Sequence, residues 1–571
     1  MDRRARVMIA GALAVVLIIL ISLGVMVVGK FTPSKEVLPL TDYYKVEEGQ
    51  VLVILQDHIY EKKGLFIDGK VYIDYDTVKT KFNHRFYWDQ NENILIYTTP
   101  TEILQTEIGS NQYSVTKSMI KTKTDVDYQI VKVFADHVYI ALDYVKQYSD
   151  ITFEYFDNPG RVLINYKWGE ALVTDVTKAT QMRKDPNIKS PLVTQLAAGV
   201  QLTYVNLEEA PKKGFAKVMT SDGIIGYVKE KNLKKSYYKE MENSDYEAPK
   251  YTPQTRSGKI NMAFNVISNQ EANNYLADLI KPSKGVNVVA PTWFSISDNT
   301  GNFNSFASQS YVDKANDLGL EVWAVVDNFN SGNEIDMKEL LSRTSYRENL
   351  SNSLVQAALD YKLNGINIDF EKIPSASGED YIEFLRELSV KCRNNGIVLS
   401  VDNYVPTPYT KYYNKEEQGE ILDYVIIMAY DEHYAGSDEA GPVSSIGFVK
   451  DAVSNTLDIV PKDKIIIAIP FYTRLWKETA DGELTSSAYA MTPAENILKD
   501  NKAEPAWDNA AGCYYAQFQQ DGATYRIWQE EEKSIEEKLK VIYKADVAGI
   551  AEWRLGHEKA SIWDVIVKYY N

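Results

Sequence analysis

Cysteine is nearly absent: the 571 residues hold two, Cys392 and Cys513, far apart and without the short spacing of metal ligands. That argues against a thiolate metal centre. A bond between the two is not expected either, since one falls in a helical pattern and the other in a distant insertion. Positive charge is also short, the formal net charge being −17. Nucleic-acid affinity comes mainly from Lys and Arg neutralising phosphates, so no nucleic-acid partner is expected. No cofactor is expected. The means to fold are not lacking: 45% hydrophobic and 25% charged residues are near globular averages, and the length exceeds one ordinary core. About two to four domains should result. Forty Tyr and nine Trp offer faces on which sugar rings stack, although most such side chains fill cores.

Charge is missing altogether from Val7 to Gly29, and Arg3, Arg4 and Arg6 precede that run. The run is long enough to cross a bilayer. A signal peptide would have a shorter apolar core and a small-residue cleavage site, and the stretch Gly24 to Gly29 makes a poor one. Residues 1–30 therefore read as a cytoplasmic tip and an uncleaved single-pass anchor, with everything after Lys30 extracytoplasmic. The alternative is a secreted protein.

From 31 to 170 the pattern is strand-like with a weak repeat. Val71-Tyr-Ile-Asp-Tyr-Asp-Thr-Val78, leading to Ile94-Leu-Ile-Tyr97, is matched by Val138-Tyr-Ile-Ala-Leu-Asp-Tyr-Val145, leading to Val162-Leu-Ile-Asn165. These copies resemble the small stalk-like domain named after the N-terminal region of copper amine oxidases; no His cluster is present, so no metal is carried over. From 171 to 236 short alternating strands suit a small all-β barrel. Arg183, Ser190-Pro191, Gly199, Gly214-Phe-Ala-Lys-Val218 and Asp222-Gly-Ile-Ile-Gly-Tyr-Val228 resemble a bacterial SH3 domain, read as either a wall-binding module or a rigid spacer. The polar stretch 237–257 reads as a linker.

From 258 to 571 apolar β-rich runs alternate with amphipathic helical segments. Strands are expected to begin near Ile260, Val286, Glu321, Ile366, Ile397, Tyr424, Lys464 and Gly549, which indicates an α/β (β/α)8 TIM barrel with its active site at the strands' C-terminal ends. Leu350, Leu354, Ala357, Ala358 and Tyr361 have helical spacing. Ser377-Gly-Glu-Asp380 reads as a capping box opening the next helix, and Asn395-Gly396 as its left-handed stop. Beyond Trp476 the rhythm breaks, with Trp507, Tyr514, Tyr515 and Trp528 in a small insertion as its own core or as sugar platforms.

A barrel strand covered on both faces should be unbroken apolar. Gly365-Ile-Asn-Ile-Asp-Phe-Glu371 is not. Alternation points Ile366, Ile368 and Phe370 to the helices and Asn367, Asp369 and Glu371 into the barrel, where unpaired carboxylates give folding nothing. Asp369 and Glu371 lie about 6.6 Å apart along the strand. Their repulsion should raise one pKa, which suits Glu371 to serve as a general acid.

Asn364-Gly-Ile-Asn-Ile-Asp-Phe-Glu371 resembles the DGxDxDxE strand-four signature of family 18 glycoside hydrolases. Met428-Ala-Tyr-Asp431, Pro470-Phe-Tyr-Thr-Arg-Leu-Trp476 and Trp553 resemble that family's motifs on strands six, seven and eight. The resemblance implies that the substrate's own 2-acetamido oxygen is the nucleophile. It implies that Glu371 protonates the leaving oxygen, Asp369 orients the acetamido group, Tyr430 donates to its carbonyl, Asp431 assists and Trp553 forms the sugar's floor. Asn367, Met428 and His433 are further candidate substrate contacts. Asn364 and Asn367 stand where many chitinases have Asp. With Tyr430-Asp-Glu-His433 they look more like the spore-cortex and peptidoglycan-hydrolysing branch. The expected partner is cell-wall or chitin-type polysaccharide; the alternatives are a silent sugar-binding barrel and a nutritional chitinase.

Overall fold

The computed structural model describes residues 2–205, 214–329 and 335–570. The chain divides into two compact units. One comprises residues 1–86, 108–112 and 125–248; the other comprises 87–107, 113–124 and 249–571.

The second unit is built on eight parallel strands: β1 (Ile260–Asn265), β2 (Val288–Ile296), β3 (Glu321–Asp327), β4 (Gly365–Asp369), β5 (Val398–Tyr404), β6 (Tyr424–Met428), β7 (Ile465–Pro470) and β8 (Gly549–Trp553). Each pairs with the next, β8 pairs with β1, and the ring closes as a TIM-type barrel. Strand starts fall within two residues of those expected from the apolar runs. Two hydrophobic layers follow from the alternation of side chains. Ile260, Met262, Phe264, Val325, Ile426, Ile466, Ala468 and Ala551 fill the interior. Residues of the opposite parity, such as Val322, Ile366, Ile368, Ile427 and Ile550, pack outward against the helices.

Helix α1 (Thr344–Tyr361) precedes β4 and helix α2 (Gly378–Asn394) follows it. Gly396 takes the left-handed conformation (φ 68°) just after α2, as its stop signal requires. The expected capping box is not formed. Ser377 ends a 3-10 turn at φ −100°, ψ 8°, not the extended backbone a capping residue needs, and its hydroxyl has no partner among the described residues.

Residues 87–124 hold a five-stranded antiparallel meander, most of which belongs to the barrel unit. Tyr87, Ile96 and Ile103 pack with Val390 of α2. Asp89 supplies the missing cap of α1, accepting from Thr344 N at 2.6 Å and Thr344 Oγ1 at 2.5 Å. The two copies of the sequence repeat therefore part company: Ile94–Thr98 lies in the meander, while Arg161–Asn165 pairs with Gln50–Leu55 in the other unit.

Between β7 and β8 an insertion forms a five-stranded antiparallel sheet with the helix Met491–Asp500. Its core is mostly aliphatic, built on Leu475, Ala494, Leu498, Ala516 and Ile527. Trp507, Tyr514, Tyr515 and Trp528 are only half-buried and pair with one another, so they are not that core.

The first unit contains an eight-stranded sheet and a seven-stranded antiparallel sheet. In the former, the repeat strands Lys70–Asp74 and His137–Ala141 pair antiparallel. The latter includes Tyr237–Met241, which pairs with Gly169–Asp175, so the start of the expected linker is a strand. Arg3–Phe31 is one helix with no buried residue, long and apolar enough to cross a membrane. Cys392 and Cys513 are buried free thiols.

Candidate active site

The inward face of β4 presents Asn367 and Asp369, both buried, and Glu371 stands half-buried just past the strand's end. Asn328, following β3, fixes the Glu371 backbone from both sides: its Oδ1 accepts from Glu371 N at 3.0 Å, and its Nδ2 donates to Glu371 O at 2.9 Å. The Glu371 side chain accepts from Tyr404 of β5, with OH to Oε2 2.8 Å. Burial raises the Glu371 carboxyl above its ordinary value. The Tyr404 hydrogen bond opposes that shift and the Asp431 charge adds to it. A carboxyl so placed can hold a proton and deliver it at the mouth.

The repulsion expected between Asp369 and Glu371 acts differently from the sequence argument. The like charge that raises Glu371 is Asp431, whereas Asp369 is pushed well up by burial first, then by Asp402, Glu371 and Asp327. The reason is depth. Asp369 sits inside the barrel with Oδ1 unpartnered among the described residues, while Glu371 is at the rim.

Asp327 and Asp402 were not singled out by the motif, yet both join the cluster. Asp327 opposes Asp369 in register and accepts from Ser295 Oγ at 2.7 Å and Phe329 N at 3.0 Å. Asp402 accepts from Asn367 Nδ2 at 3.2 Å, and that amide also reaches Ser400 Oγ at 3.0 Å. Burial pushes the Asp402 carboxyl up to about 8. A signal was available: Ser400, Asp402 and Tyr404 alternate along β5, whose outward residues are apolar except Asn403, much as Asn367 and Asp369 do on β4.

Beyond β5, Tyr430 follows β6 and packs on the interior cluster and edge-on to Tyr472, ring centroids 6.4 Å apart. Burial holds its phenol protonated. Asp431, in the left-handed region at φ 54°, accepts from Tyr472 OH at 2.5 Å and lies 3.8 Å from Arg474. Met428 ends β6 opposite Tyr404 and is buried. Trp553 ends β8 and covers the interior cluster against Phe264, with centroids 5.4 Å apart. His433 places Nδ1 2.9 Å from Pro442 O, which fastens the loop after β6 upon itself. Among the described residues no group of His, Cys, Asp and Glu is arranged to hold a metal ion.

A family model described as glycosyl hydrolases family 18 matches residues 224–558, beginning within the seven-stranded sheet and running through β8. Among curated proteins, the uncharacterized glycosylase YvbX of Bacillus subtilis (strain 168) is 25% identical over 294 residues, 50% of this chain and 84% of YvbX. The cortical fragment-lytic enzyme of the same organism is 28% identical over 243 residues, 41% of this chain and 56% of that protein. The chain thus spans most of the first relative and little more than half of the second. Among solved structures, the Bacillus cereus spore cortex-lytic enzyme SleL aligns with a TM-score of 0.50 at 22% identity, over 57% of this chain and 76% of SleL. At that identity the likeness supports the fold alone.

Proposed function

The chain belongs to glycosyl hydrolases family 18, and from that premise we propose that it cleaves β-1,4 bonds of N-acetylglucosamine-containing polysaccharide, peptidoglycan or spore cortex foremost, with the substrate's acetamido group as nucleophile. One observation carries the reading: the carboxyls at the mouth stand on one side. Asp327, Asp369, Glu371 and Asp402 come from β3, β4 and β5, whereas the interior residues of β1, β7 and β8 are apolar or aromatic: Phe264, Ala468, Ala551 and Trp553. Asp431, after β6, is engaged by Tyr472 and Arg474. A second carboxylate facing Glu371 across a sugar, the usual arrangement of a glycosidase, is therefore missing among the described residues.

In this mechanism Glu371 gives its proton to the leaving oxygen. Asp369, ionised, accepts from the acetamido N–H and stabilises the positive charge that grows there as the carbonyl oxygen attacks the anomeric carbon. Tyr430 donates to that oxygen, Asp431 and Tyr472 steady Tyr430, and Trp553 lies beneath the ring. Asn367, Met428 and His433 complete the contacts. Glu371 then takes a proton from the water that opens the intermediate.

The helix Arg3–Phe31 anchors the protein in the cell membrane with the barrel outside. The N-terminal sheets, with their likeness to a stalk and a bacterial SH3 domain, hold it near wall polysaccharide. Incubating the full chain with peptidoglycan, spore cortex and chitin oligomers, and identifying the products by mass spectrometry, tests the assignment. Release of fragments ending in N-acetylglucosamine supports it, and binding of all three without cleavage would make this a silent sugar-binding barrel.

A further inference from the structure

The proposed reaction leaves Asp402 without a task, although the fold spends a buried carboxyl on it. Register places it beside Asp369. Asp327 opposes Asp369 and Ile368 opposes Val401, so Asp327, Asp369 and the residue after Val401 occupy one level of three adjacent strands. Neighbouring strands lie about 4.8 Å apart, and all three side chains share the inward parity of Val325 and Val398. Asp369 and Asp402 are 6% and 3% exposed, and neither forms an ion pair among the described residues. The titratable groups around them are Asp327 from β3, Glu371 beyond β4, Tyr404 on β5 through its bond to Glu371, Tyr430 beyond β6, and Tyr381 of α2. None of these is a cation. Two carboxyls this close in a dry site cannot both ionise, so one proton remains with the pair.

We propose that Asp402 is a positioning residue that shares a single proton with Asp369 and thereby sets the charge Asp369 carries at each stage of the reaction. Asn367 orients it: the amide occupies Asp402 Oδ1 and leaves Oδ2 for the proton. When positive charge grows on the acetamido nitrogen, the O–H bond on Asp369 breaks and one forms on Asp402. The pair keeps one negative charge throughout, and the proton returns when water opens the intermediate.

The inference rests on the glycosidase reading, so its test has a half that does not need turnover. Asp402→Asn and the transposed pair Asn367→Asp/Asp402→Asn are compared with wild type in the full chain, for kcat and KM against pH and for unfolding free energy against pH. For Asp402→Asn, kcat should fall at least about tenfold with KM within about threefold. The acidic limb should move to lower pH, because Asp369 loses a like-charged neighbour. The transposed variant, which returns a carboxyl one strand away, should recover both. For stability the sign follows from the raised folded value: wild type keeps a proton that its unfolded chain has lost, so this contribution is present below about pH 4 and is lost as pH rises through about 8. Asp402→Asn should lack that decline. A wild-type pH profile and an unchanged stability slope in Asp402→Asn would overturn the shared proton. The altered slope in a protein that cleaves no glycan would support it and sink the glycosidase reading instead.

Discussion

Two of the groups of charge buried in the barrel unit are managed in opposite ways. At the seam around α2, where it meets α1, the meander and the helix Lys415–Ile421, charges meet their opposites: Arg347 reaches Glu387 at 3.0 Å, and Arg386 joins Glu383 at 3.1 Å and Glu417 of that last helix at 2.9 Å. Arg347 also donates to Leu341 O and lies 4.9 Å from the Tyr87 ring centroid. At the mouth, Asp327, Asp369 and Asp402 are packed together with no paired cation among the described residues. Burial explains the seam, since the meander covers the outer face of α2 that would otherwise meet water. Nothing in folding explains the mouth, where desolvation is left uncompensated. Charge kept unpaired inside a cavity is suited to a positive charge that arrives with the substrate.

The comparison can be broken most severely at Glu371. Glu371→Gln should fold normally yet lower hydrolysis by at least about a hundredfold, the scale of general acid catalysis, as steady-state kinetics on a glycan oligomer would show. The seam should answer in the other currency. Arg347→Met, which strands Glu387, should lower unfolding free energy by about 3–5 kcal/mol in denaturant titration, and Arg347→Met/Glu387→Leu should recover most of it.

Asp369→Asn should do at the mouth what no seam variant does, stabilising the fold while impairing turnover. Burial raises the Asp369 carboxyl, so its contribution is favourable at low pH and is lost as pH rises through the folded value. The variant should therefore gain on wild type with rising pH, by about 1–3 kcal/mol at pH 8. Glu552 marks the limit of the contrast. It is buried on β8 with both oxygens unpartnered among the described residues, and burial pushes its carboxyl well above the ordinary range. Its parity is that of Ile550, so it faces the helices and not the mouth. Glu552→Gln should change activity less than about twofold and stability by less than about 1 kcal/mol.

The mouth was the more legible of the two regions. Strand alternation alone turned Asn367, Asp369 and Glu371 inward, and the apolar runs located the barrel strands, because both signals are local. Asp402 and Tyr404 carried the same alternation on β5 but lacked a second acid nearby to draw notice. Tyr472 sat within a recognised strand end without a reason to favour its hydroxyl. The seam was illegible for a different reason. The meander's strands show in their periodicity, but nothing local says that Asp89 caps a helix some 255 residues away or that Tyr87 meets Val390. Sequence patterns report which face of an element is apolar, and not which distant element covers it.

The central claim is that the unpaired carboxyls serve a charge developing on the substrate's acetamido group. It is tested most directly by comparing turnover of a matched oligosaccharide pair, one with the 2-acetamido group and one with a hydroxyl in its place, with the anomeric form of the first product read by NMR. Loss of the acetamido group removes an intramolecular nucleophile whose effective molarity is large. The account predicts rapid cleavage of the acetamido substrate with retained configuration and almost none of the hydroxyl analogue. Comparable turnover of both, or an inverted first product, would contradict it.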